Sequence, residues 1–335
     1  MAQKNVLVVG GAGYIGSHTV LGLQAEGFTP VVYDNFSSGR RDALFADHWV
    51  EGALSDRDAL RDALQRYEIG SVIHFAALIE AGVSVREPLS FYRNNVASTV
   101  SLLEAMAEAG VHKLVFSSTA AVYGNQDGDG ALHEGLPMQP TNPYGQTKAA
   151  VERMLRDVTD ATPLQAIALR YFNAAGADPE GRTGERHEPE THLIPLVLEA
   201  AAGLRPQITI YGTDYPTPDG TCVRDYVHVS DLARGHVTAL KHLLADDQPD
   251  GHFTPVNLGS GQGYSVQEVI KAAETVTGRR FPVALGDRRE GDPSVLVSDP
   301  ACAANLLGWQ TQRSELHDIV RDAWHFMQKQ GVVST

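Results

Sequence analysis

Short apolar runs alternate with longer segments of helical periodicity through the first half of the chain. Four runs are short, apolar and bounded by turn or polar residues: Asn5–Val9, Pro30–Tyr33, Ser71–Phe75 and Lys113–Ser117. Runs that are apolar along their length are typical of strands buried on both faces of a parallel sheet. The alternation therefore predicts an α/β fold with a doubly wound parallel sheet.

The composition and periodicity of the sequence change near Gly176. From there, glycine, proline and charged residues replace the regular alternation of strands and helices. We therefore predict a first lobe over residues 1–176 and a smaller α/β lobe, mainly for substrate binding, over residues 177–335. The apolar pattern of residues 225–240 predicts that this segment crosses back to the first lobe.

The segment Gly10–Gly16 has the spacing Gly-x-x-Gly-x-x-Gly, directly after the first predicted strand and at the start of a helical pattern. Glycine there permits a tight turn and lets a pyrophosphate approach backbone N–H groups at the helix N-terminus. The second strand ends in Asp34, where a carboxylate can accept hydrogen bonds from both ribose hydroxyls. Because that charge repels a 2′-phosphate, the pattern predicts a Rossmann-type domain that binds NAD rather than NADP. Arg40 and Arg41 lie nearby and leave the NADP alternative open.

Tyr144 and Lys148 are four residues apart, so both project from one face of a helix that we expect to begin near Pro143. An ammonium near a phenol favours the phenolate, which suits Tyr144 as a general base. The spacing alone is common by chance, and its weight comes from the context. The strand that begins at Lys113 leads into the hydroxyl-bearing Ser117–Thr119 at the carboxyl edge of the sheet, where doubly wound folds place their ligands.

Composition excludes several classes of partner. A formal net charge of −14 over 335 residues leaves no basic surplus for binding nucleic acid. No apolar run reaches the roughly 18 residues that a membrane span needs. Cys222 and Cys302 lie far apart in the sequence, which is typical of proteins in a reducing compartment. We therefore expect a cytoplasmic protein with neither a nucleic-acid nor a membrane partner.

One segment superficially resembles a zinc motif. It runs from His187 to His192, but its spacing differs from HExxH. Pro189 is also incompatible with the ideal helix on which that motif depends. From the sequence, no metal site is expected.

Further motifs occur in an order and spacing that resemble the extended short-chain dehydrogenase/reductases. Besides Gly10–Gly16 and Tyr144–Lys148, they are Phe75–Ala77, Phe116–Gly124 and Leu169–Asn173. Within that group the chain resembles the UDP-glucose 4-epimerase family, in Tyr211–Thr217, Gly220–Val229 and Arg288–Pro293. The resemblance covers nearly the whole chain, and these last three motifs are far more specific than the glycine loop.

The resemblance implies NAD-dependent 4-epimerisation of a UDP-hexose, the interconversion of UDP-glucose and UDP-galactose. Tyr144 would take the proton of the sugar 4-hydroxyl while NAD oxidises C4, and the 4-keto sugar would swing over and be reduced on its other face. Thr119 would hydrogen-bond the reacting oxygen, and Lys148 would also reach the nicotinamide ribose. Because NAD is regenerated in each cycle, there is no net redox reaction.

The resemblance also implies two sets of ligand contacts. Cofactor contacts are expected from Gly10, Gly13, Tyr14, Ile15, Gly16, Asp34, Asn35, Ser38, Gly39, Leu54, Phe75, Ala76, Ala77, Asn94, Ser117, Tyr144, Lys148, Tyr171 and Phe172. Contacts to a UDP-sugar substrate are expected from Thr119, Tyr144, Asn173, His192, Leu193, Tyr211, Arg224, Arg289, Asp292 and Leu296.

Several of these substrate residues have an implied role. Arg224 and Arg289 would neutralise the two phosphates, because a planar guanidinium binds phosphate oxygens in pairs. Tyr211 would stack on uracil, Asp292 would accept from a ribose hydroxyl, and Asn173 would donate to the diphosphate.

The chain departs from the family pattern at a few positions. Ala53 stands where an Asp usually binds the adenine amine, so the backbone and packing of Leu54 would have to hold adenine. Ile79 replaces a Lys of some relatives, and His192 replaces an Asn near the uracil. Leu296 occupies a position that limits room around the sugar C2 substituent, and its intermediate size leaves UDP-N-acetylhexosamines and UDP-pentoses open as substrates.

Other activities on the same fold are distinguished by what the sequence lacks. Sugar-nucleotide 4,6-dehydratases need an acid and a base where this chain has Ala120 and Ala121, which argues against dehydration. An NAD-linked oxidoreductase that releases NADH and an NAD-sensing module without catalysis remain as alternatives. A homodimer through Pro88–Ala109 and Pro143–Val158 is implied by the resemblance only.

Overall fold

A seven-stranded parallel sheet forms the centre of the computed structural model, which describes residues 4–126, 130–245, 250–289 and 292–332. The strands, in chain order, are β1 (Asn5–Val9), β2 (Thr29–Asp34), β3 (His48–Glu51), β4 (Ser71–His74), β5 (Lys113–Thr119), β6 (Gln165–Tyr171), β7 (Asn173–Ala175), β8 (Ile208–Tyr211), β9 (Val223–His228), β10 (His252–Leu258), β11 (Gly263–Ser265), β12 (Val283–Gly286) and β13 (Val295–Leu296). The large sheet has the order β10-β6-β5-β4-β1-β2-β3, and all its pairs are parallel. The chain reverses its direction of winding between β1 and β4, the point at which such sheets bind ligands.

Helices cover both faces of this sheet. They are α1 (Tyr14–Ala25), α2 (Arg57–Arg66), α3 (Ala81–Arg86), α4 (Pro88–Phe91), α5 (Ser98–Ala109), α6 (Pro143–Ala161), α7 (Leu193–Ala202), α8 (Val229–Leu243), α9 (Val266–Thr277) and α10 (Leu316–Lys329). A π-helical turn, Tyr92–Ala97, joins α4 to α5. Within the described parts of the chain, no helix is long and apolar enough to cross a membrane.

Strand β1 shows why the sequence pattern was informative. Val6 and Val8 pack in the core under α1 and α8, whereas Leu7 and Val9 pack in the core under α2, α5 and α6. Since successive side chains of a strand point to opposite faces, a strand covered on both sides is apolar at every position. The predicted doubly wound α/β fold is confirmed.

Three of the seven strands of the sheet, β3, β6 and β10, were not predicted from the sequence. His48–Glu51 forms the edge strand β3, which is short, largely exposed and has charged or polar residues at both ends, so it lacks a continuous apolar run. His252–Leu258 forms β10 at the opposite edge, although it lies far into the second half of the chain. Helix α8 packs against α1 on the same sheet. The second half of the chain therefore contributes both a helix and a strand to the first lobe.

The remaining elements form a smaller α/β unit beside the carboxyl edge of the large sheet. Helices α7, α9 and α10 share a separate apolar core with β8. Strand β8 pairs with β12, and β9 pairs with β7, β11 and β13. Strand β7 begins two residues after β6 ends, so the two units meet directly above the ends of the central strands.

Candidate active site

The glycine loop after β1 is packed too closely for side chains. Gly10 has a φ of +82°, and a Cβ there would lie 2.6 Å from the backbone nitrogen of Ala76. A Cβ at Gly16 would lie 2.2 Å from the carbonyl oxygen of Gly10. Gly13 is less crowded, with its closest neighbour at 3.3 Å. The loop therefore brings backbone N–H groups of the first turn of α1 close to the switch point, as a pyrophosphate requires.

The carboxylate of Asp34 lies at the carboxyl end of β2, beside this loop, and its residue is 8% exposed. It accepts hydrogen bonds from the backbone nitrogens of Ala12, at 3.0 Å, and Phe36, at 2.8 Å. Burial raises the pKa of Asp34, and these two N–H groups oppose that effect. Gly39 is held against it, since a Cβ there would lie 2.9 Å from a carboxylate oxygen.

Arg40 and Arg41, which kept NADP as an alternative cofactor in the sequence analysis, each lie beside a carboxylate. Arg41 lies 2.6 Å from Glu51, and Arg40 lies 3.5 Å from Asp42. All four side chains are about half exposed. A 2′-phosphate would have to compete with Glu51 or Asp42 for these guanidinium groups and would be repelled by Asp34, which favours NAD.

The other predicted cofactor residues surround the loop or lie on its sheet edge. Phe75, Ala76 and Ala77 follow β4 directly, and Asn35 and Ser38 are exposed in the loop after β2. Leu54 is buried, and the Ala53 carbonyl before it accepts a hydrogen bond from the Tyr33 hydroxyl at 3.0 Å. Ile15 packs into the core under α1, and Phe172 is buried just after β6.

Two predicted cofactor residues direct their side chains elsewhere. The Tyr14 hydroxyl donates to the carbonyl oxygen of Gly176 at 2.7 Å, so a contact of Tyr14 with the cofactor would have to come from its backbone. The Asn94 side chain donates to the Asn95 amide oxygen at 3.0 Å. The buried Asn95 side chain accepts a hydrogen bond from the backbone N–H of Leu78 and donates one to the Leu78 carbonyl oxygen. These two bonds fix the loop after β4.

Helix α6 presents Tyr144 in its first turn. The helix begins at Pro143, as predicted, and the Asn142 side chain caps it by accepting from the backbone N–H of Gly145 at 2.9 Å. The backbone N–H of Tyr144 donates to the Ser84 hydroxyl of α3 at 3.1 Å. Ser84 is fully buried, so α3 fixes the position of the phenol.

The Tyr144 side chain lies beside Thr119 at the carboxyl end of β5, close enough for the Thr119 hydroxyl to act on the phenol. Burial raises the pKa of Tyr144 to about 12, the Thr119 hydroxyl opposes the rise, and the Glu80 carboxylate adds to it. Without its ligands, the site therefore holds a protonated phenol. A general base at this position needs a further positive charge.

Lys148 lies one turn further along α6 and is 3% exposed. Its Nζ donates to the carbonyl oxygen of Ser117 at 2.7 Å and lies 4.8 Å from the centre of the Phe116 ring. Burial lowers the pKa of Lys148 to about 7, against the opposing charge of Glu152. The Ser117 hydroxyl is paired with that of Tyr171, so three predicted site residues share one edge of the sheet.

A buried ion pair close to Lys148 was not predicted from the sequence. Glu152, one turn after Lys148 on the same face of α6, lies 2.6 Å from Arg170 of β6. The Ser118 hydroxyl donates to the same carboxylate at 2.5 Å. The spacing of Tyr144, Lys148 and Glu152, four residues apart each time, was the available signal for a shared helix face.

Four predicted substrate residues come together on the smaller unit although they are far apart in sequence. Arg224 of β9 forms an ion pair with Asp292. The Arg289 guanidinium lies 4.3 Å above the centre of the Tyr211 ring, which is 42% exposed. An aromatic face and two guanidinium groups are thus adjacent, a combination suited to a base joined to a diphosphate.

Leu296 connects this surface to the catalytic side. It is opposite Arg224 in the pairing of β13 with β9. It also packs against the apolar cluster that adjoins Thr119 and consists of Ala120, Val122, Tyr123, Leu132, Ala149 and Phe172. Leu296 therefore lies between Arg224 and the end of β5 that carries Thr119.

The remaining predicted substrate residues lie at the junction of the two units. Asn173 begins β7 and is opposite Tyr226 of β9. His192 is the N-cap residue of α7, and Leu193 is its first residue. Burial alone would lower the pKa of His192, but the carboxylates of Glu185 and Glu190 raise it to about 10.

Comparison with known proteins accounts for this arrangement. A sequence profile described as the NAD dependent epimerase/dehydratase family matches residues 6–259. The chain belongs to the NAD-dependent epimerase/dehydratase family. Among relatives in that family, a UDP-glucose 4-epimerase of Rhizobium leguminosarum bv. trifolii is 48% identical, with 98% of this chain and 99% of the relative covered.

Solved structures in the family have the same fold. The UDP-glucose 4-epimerase of Brucella ovis, crystallised with NAD, superposes with a TM-score of 0.93 at 48% identity, covering 96% of this chain and 98% of that one. The enzyme of Stenotrophomonas maltophila, with NAD and formylated UDP-arabinopyranose, gives a TM-score of 0.94 at 40% identity, covering 98% and 99%. The resemblance inferred from the sequence motifs is therefore confirmed.

Proposed function

We propose that this chain is an NAD-dependent UDP-hexose 4-epimerase that interconverts UDP-glucose and UDP-galactose. The neighbouring hydroxyls of Tyr144 and Thr119, beside the buried Lys148, carry this assignment. They lie at the carboxyl edge of a doubly wound sheet, with a glycine loop on one side and a cationic, aromatic surface on the other. Relatives at 48% identity over nearly the full length are UDP-glucose 4-epimerases.

The residues around the switch point fit NAD. Side chains are excluded at Gly10 and Gly16, which leaves backbone N–H groups for a pyrophosphate, and Asp34 offers a carboxylate for ribose hydroxyls. Lys148 lies at the same edge of the sheet, where its Nζ donates to the carbonyl oxygen of Ser117. When bound, NAD supplies the oxidising power by accepting the hydrogen of the sugar C4 as hydride and returning it.

The chain itself handles the proton. The Tyr144 hydroxyl oxygen, as phenolate, takes the proton of the sugar 4-hydroxyl and gives it back after the sugar has turned over. Thr119 donates to or accepts from the same sugar oxygen and so fixes its distance from Tyr144. Since burial holds the pKa of Tyr144 at about 12, positive charge that arrives with the ligands is needed to form the phenolate.

Recognition of the substrate rests on the smaller unit. Arg224 and Arg289 provide local positive charge for a diphosphate in a chain whose net charge is −14. A phosphate would compete with Asp292 for Arg224, freeing that carboxylate for a ribose hydroxyl. Tyr211 offers a half-exposed ring on which uracil can stack.

The reaction is tested by incubating the purified protein with UDP-galactose and following both sugar nucleotides and NADH. We expect UDP-glucose to form in many turnovers while absorbance of NADH does not accumulate. An equivalent of free NADH for each sugar consumed would show an oxidoreductase instead. Unchanged UDP-galactose together with bound NAD would favour the NAD-sensing alternative.

The choice of sugar is a separate part of the proposal. UDP-glucose, UDP-N-acetylglucosamine and UDP-xylose should be compared at equal concentration, with product sugars identified by chromatography. We expect the highest kcat/KM for UDP-glucose, because Leu296 takes up space beside the reacting hydroxyls. A higher kcat/KM for either of the other two sugars would replace the glucose assignment and keep the chemistry.

We also propose a homodimer formed through α3–α5 and α6. Large apolar side chains are exposed on that side, among them Val85 at 63%, Leu89 at 76% and Tyr92 at 42%. Light scattering after gel filtration should give twice the chain mass, and Leu89→Glu should shift it towards the monomer. Leu204→Glu, at another exposed leucine, is the control and should leave the dimer intact.

A further inference from the structure

The loop before α7 brings two glutamates and two histidines together, outside the residues that handle the proton. The four are Glu185, His187, Glu190 and His192. The glutamate side chains are 6% exposed, whereas those of His187 and His192 are 20% and 41% exposed. One potential ligand atom of each residue lies within 4.8 Å of all the others.

The distances between these atoms resemble those of a four-coordinate metal site. Nδ1 of His187 lies 3.2 Å from Glu185 and 3.8 Å from Glu190. Nδ1 of His192 lies 2.8 Å from Glu185 and 3.1 Å from Glu190. Ligands bound to zinc at about 2.0 Å in a tetrahedron are roughly 3.3 Å apart. The four nitrogen-to-oxygen distances lie on both sides of that value.

The charges of the cluster also favour the binding of a cation. Among the described residues, the ion pairs of Glu185 and Glu190 are made with these two histidines. The neighbouring Arg186 turns away, to Asp42 at 2.7 Å. Nδ1 of His187 is buried and makes no well-aligned hydrogen bond, although both carboxylates are near. Two nearly buried carboxylates thus depend on the protonation of two imidazoles for their countercharge.

We propose that Glu185, His187, Glu190 and His192 bind one divalent cation, with zinc the best match to two imidazoles and two carboxylates. The metal takes the place of the ring protons that pair the histidines with the carboxylates in the metal-free chain. Glu190 is already oriented, because its Oε1 accepts the backbone N–H groups of Thr191 and His192 at 2.7 and 2.8 Å. Such bonds hold a ligating carboxylate in place.

The position of the cluster indicates a structural role. The Tyr14 ring of α1 meets the His187 ring edge-on, with centres 6.4 Å apart. His192 is the N-cap residue of α7. A bound cation therefore fixes the segment before α7 against the start of α1, next to the glycine loop.

From the sequence no metal site is expected, because the spacing differs from HExxH and Pro189 is unfavourable in a helix. The segment between Gly184 and Leu193 is a loop, so the helical spacing that defines HExxH does not apply. Glu185 lies outside the motif-like segment, and the path of the loop brings its carboxylate to the other three residues. The proposal therefore departs from that expectation.

Metal binding is tested on the full chain after removal of bound metal with a chelator. Competition between the protein and a chromophoric chelator should show one Zn²⁺ per chain, and Co²⁺ should give the intense visible bands of four-coordinate cobalt. His187→Asn and Glu185→Gln should each weaken Zn²⁺ binding by more than about 100-fold, since losing a ligand costs more than losing an outer partner. His317→Asn, at an exposed histidine of α10, is the matched control and should bind like the wild type.

Thermal unfolding separates loss of the site from loss of the fold. Zn²⁺ should raise the Tm of the wild type and of His317→Asn, but not that of His187→Asn, whose circular dichroism should match the wild type. Absence of stoichiometric Zn²⁺ in the wild type would overturn the proposal. So would Zn²⁺ binding that survives both ligand substitutions, or a thiolate-to-cobalt band, which would assign the metal to Cys222 or Cys302 instead.

Discussion

The ammonium nitrogen of Lys148 donates a 2.7 Å hydrogen bond to the carbonyl oxygen of Ser117. This bond ties α6 to the end of β5, two residues before Thr119. The helix presents Tyr144 and the strand presents Thr119, so the relative position of the two reacting hydroxyls depends on how these elements are joined. Lys148 thus has a positioning role in addition to its charge.

Removal of the Tyr144 hydroxyl should abolish most of the turnover. We expect Tyr144→Phe to lower kcat by about 10²- to 10⁴-fold, the usual contribution of a positioned acid or base, with little change in NAD affinity. Conversion of UDP-galactose to UDP-glucose measures kcat, and calorimetry measures NAD affinity. Tyr67→Phe, at the end of α2, is the control. Turnover of Tyr144→Phe at the wild-type rate would remove Tyr144 from the mechanism.

The buried Lys148 should make stability depend on pH. Burial lowers its folded-state pKa from 10.5 to about 7. Between these values the unfolded chain binds the extra proton, so this group destabilises the fold at neutral pH and less as the pH rises. Relative to Lys148→Met, the NAD-free wild type should gain on the order of 1 kcal/mol in unfolding free energy per pH unit between about 7 and 10.

Urea denaturation of both proteins at several pH values measures this slope. Lys271→Met, at an exposed lysine of α9, is the control and should show no comparable slope against the wild type. A difference between wild type and Lys148→Met that stays constant over this pH range would contradict the lowered pKa of Lys148.

The carboxylate of Asp34 should determine the choice of cofactor. Asp34→Asn keeps the size of the side chain but replaces a charged acceptor, so NAD should bind about 10-fold more weakly, and discrimination against NADP should fall. Titration with both dinucleotides measures the two affinities. Asp42→Asn removes a nearby exposed carboxylate and should leave the NAD to NADP ratio unchanged. An unchanged ratio in Asp34→Asn as well would show that another group selects the cofactor.

The size of residue 296 should control the sugar. Leu296 packs against the apolar cluster that adjoins Thr119, so Leu296→Tyr should fill the space and lower kcat/KM for UDP-N-acetylglucosamine relative to UDP-glucose. Leu296→Ser should shift the same ratio in the opposite direction. Val295→Ser, whose side chain is on the other face of the strand and 42% exposed, should leave the ratio unchanged. Equal ratios in all the proteins would show that the sugar C2 group lies elsewhere.

The ion pair of Arg170 and Glu152 should be important for folding. Arg170→Met removes the countercharge of a buried carboxylate, which keeps the hydrogen bond from Ser118, and should lower the unfolding free energy by about 3–5 kcal/mol. Adding Glu152→Gln should recover much of the loss, because the unpaired charge is removed. Chemical denaturation measures both. A double variant that is no more stable than Arg170→Met would show that packing rather than charge accounts for the loss.

The sequence pattern was sufficient to predict features that depend on a single structural element. Strands β1, β2, β4 and β5 are apolar because helices cover both faces, and the glycine spacing follows from one strand-turn-helix unit. The edge strand His48–Glu51 was missed because an exposed edge does not require apolar residues. Glu152 and Arg170 were missed because a charged side chain is unusual at a buried position, and only the facing strand compensates the charge.

The sequence by itself determined the doubly wound sheet, the place of the dinucleotide loop, and Tyr144 and Lys148 on one face of a helix. Those features follow from local periodicity and from backbone conformations that only glycine tolerates. The tertiary structure decided which distant side chains meet: Arg224 with Asp292, and Glu185 with His187 and His192. Contacts of that kind depend on how loops cross between packed elements, and no periodicity within a single segment records them.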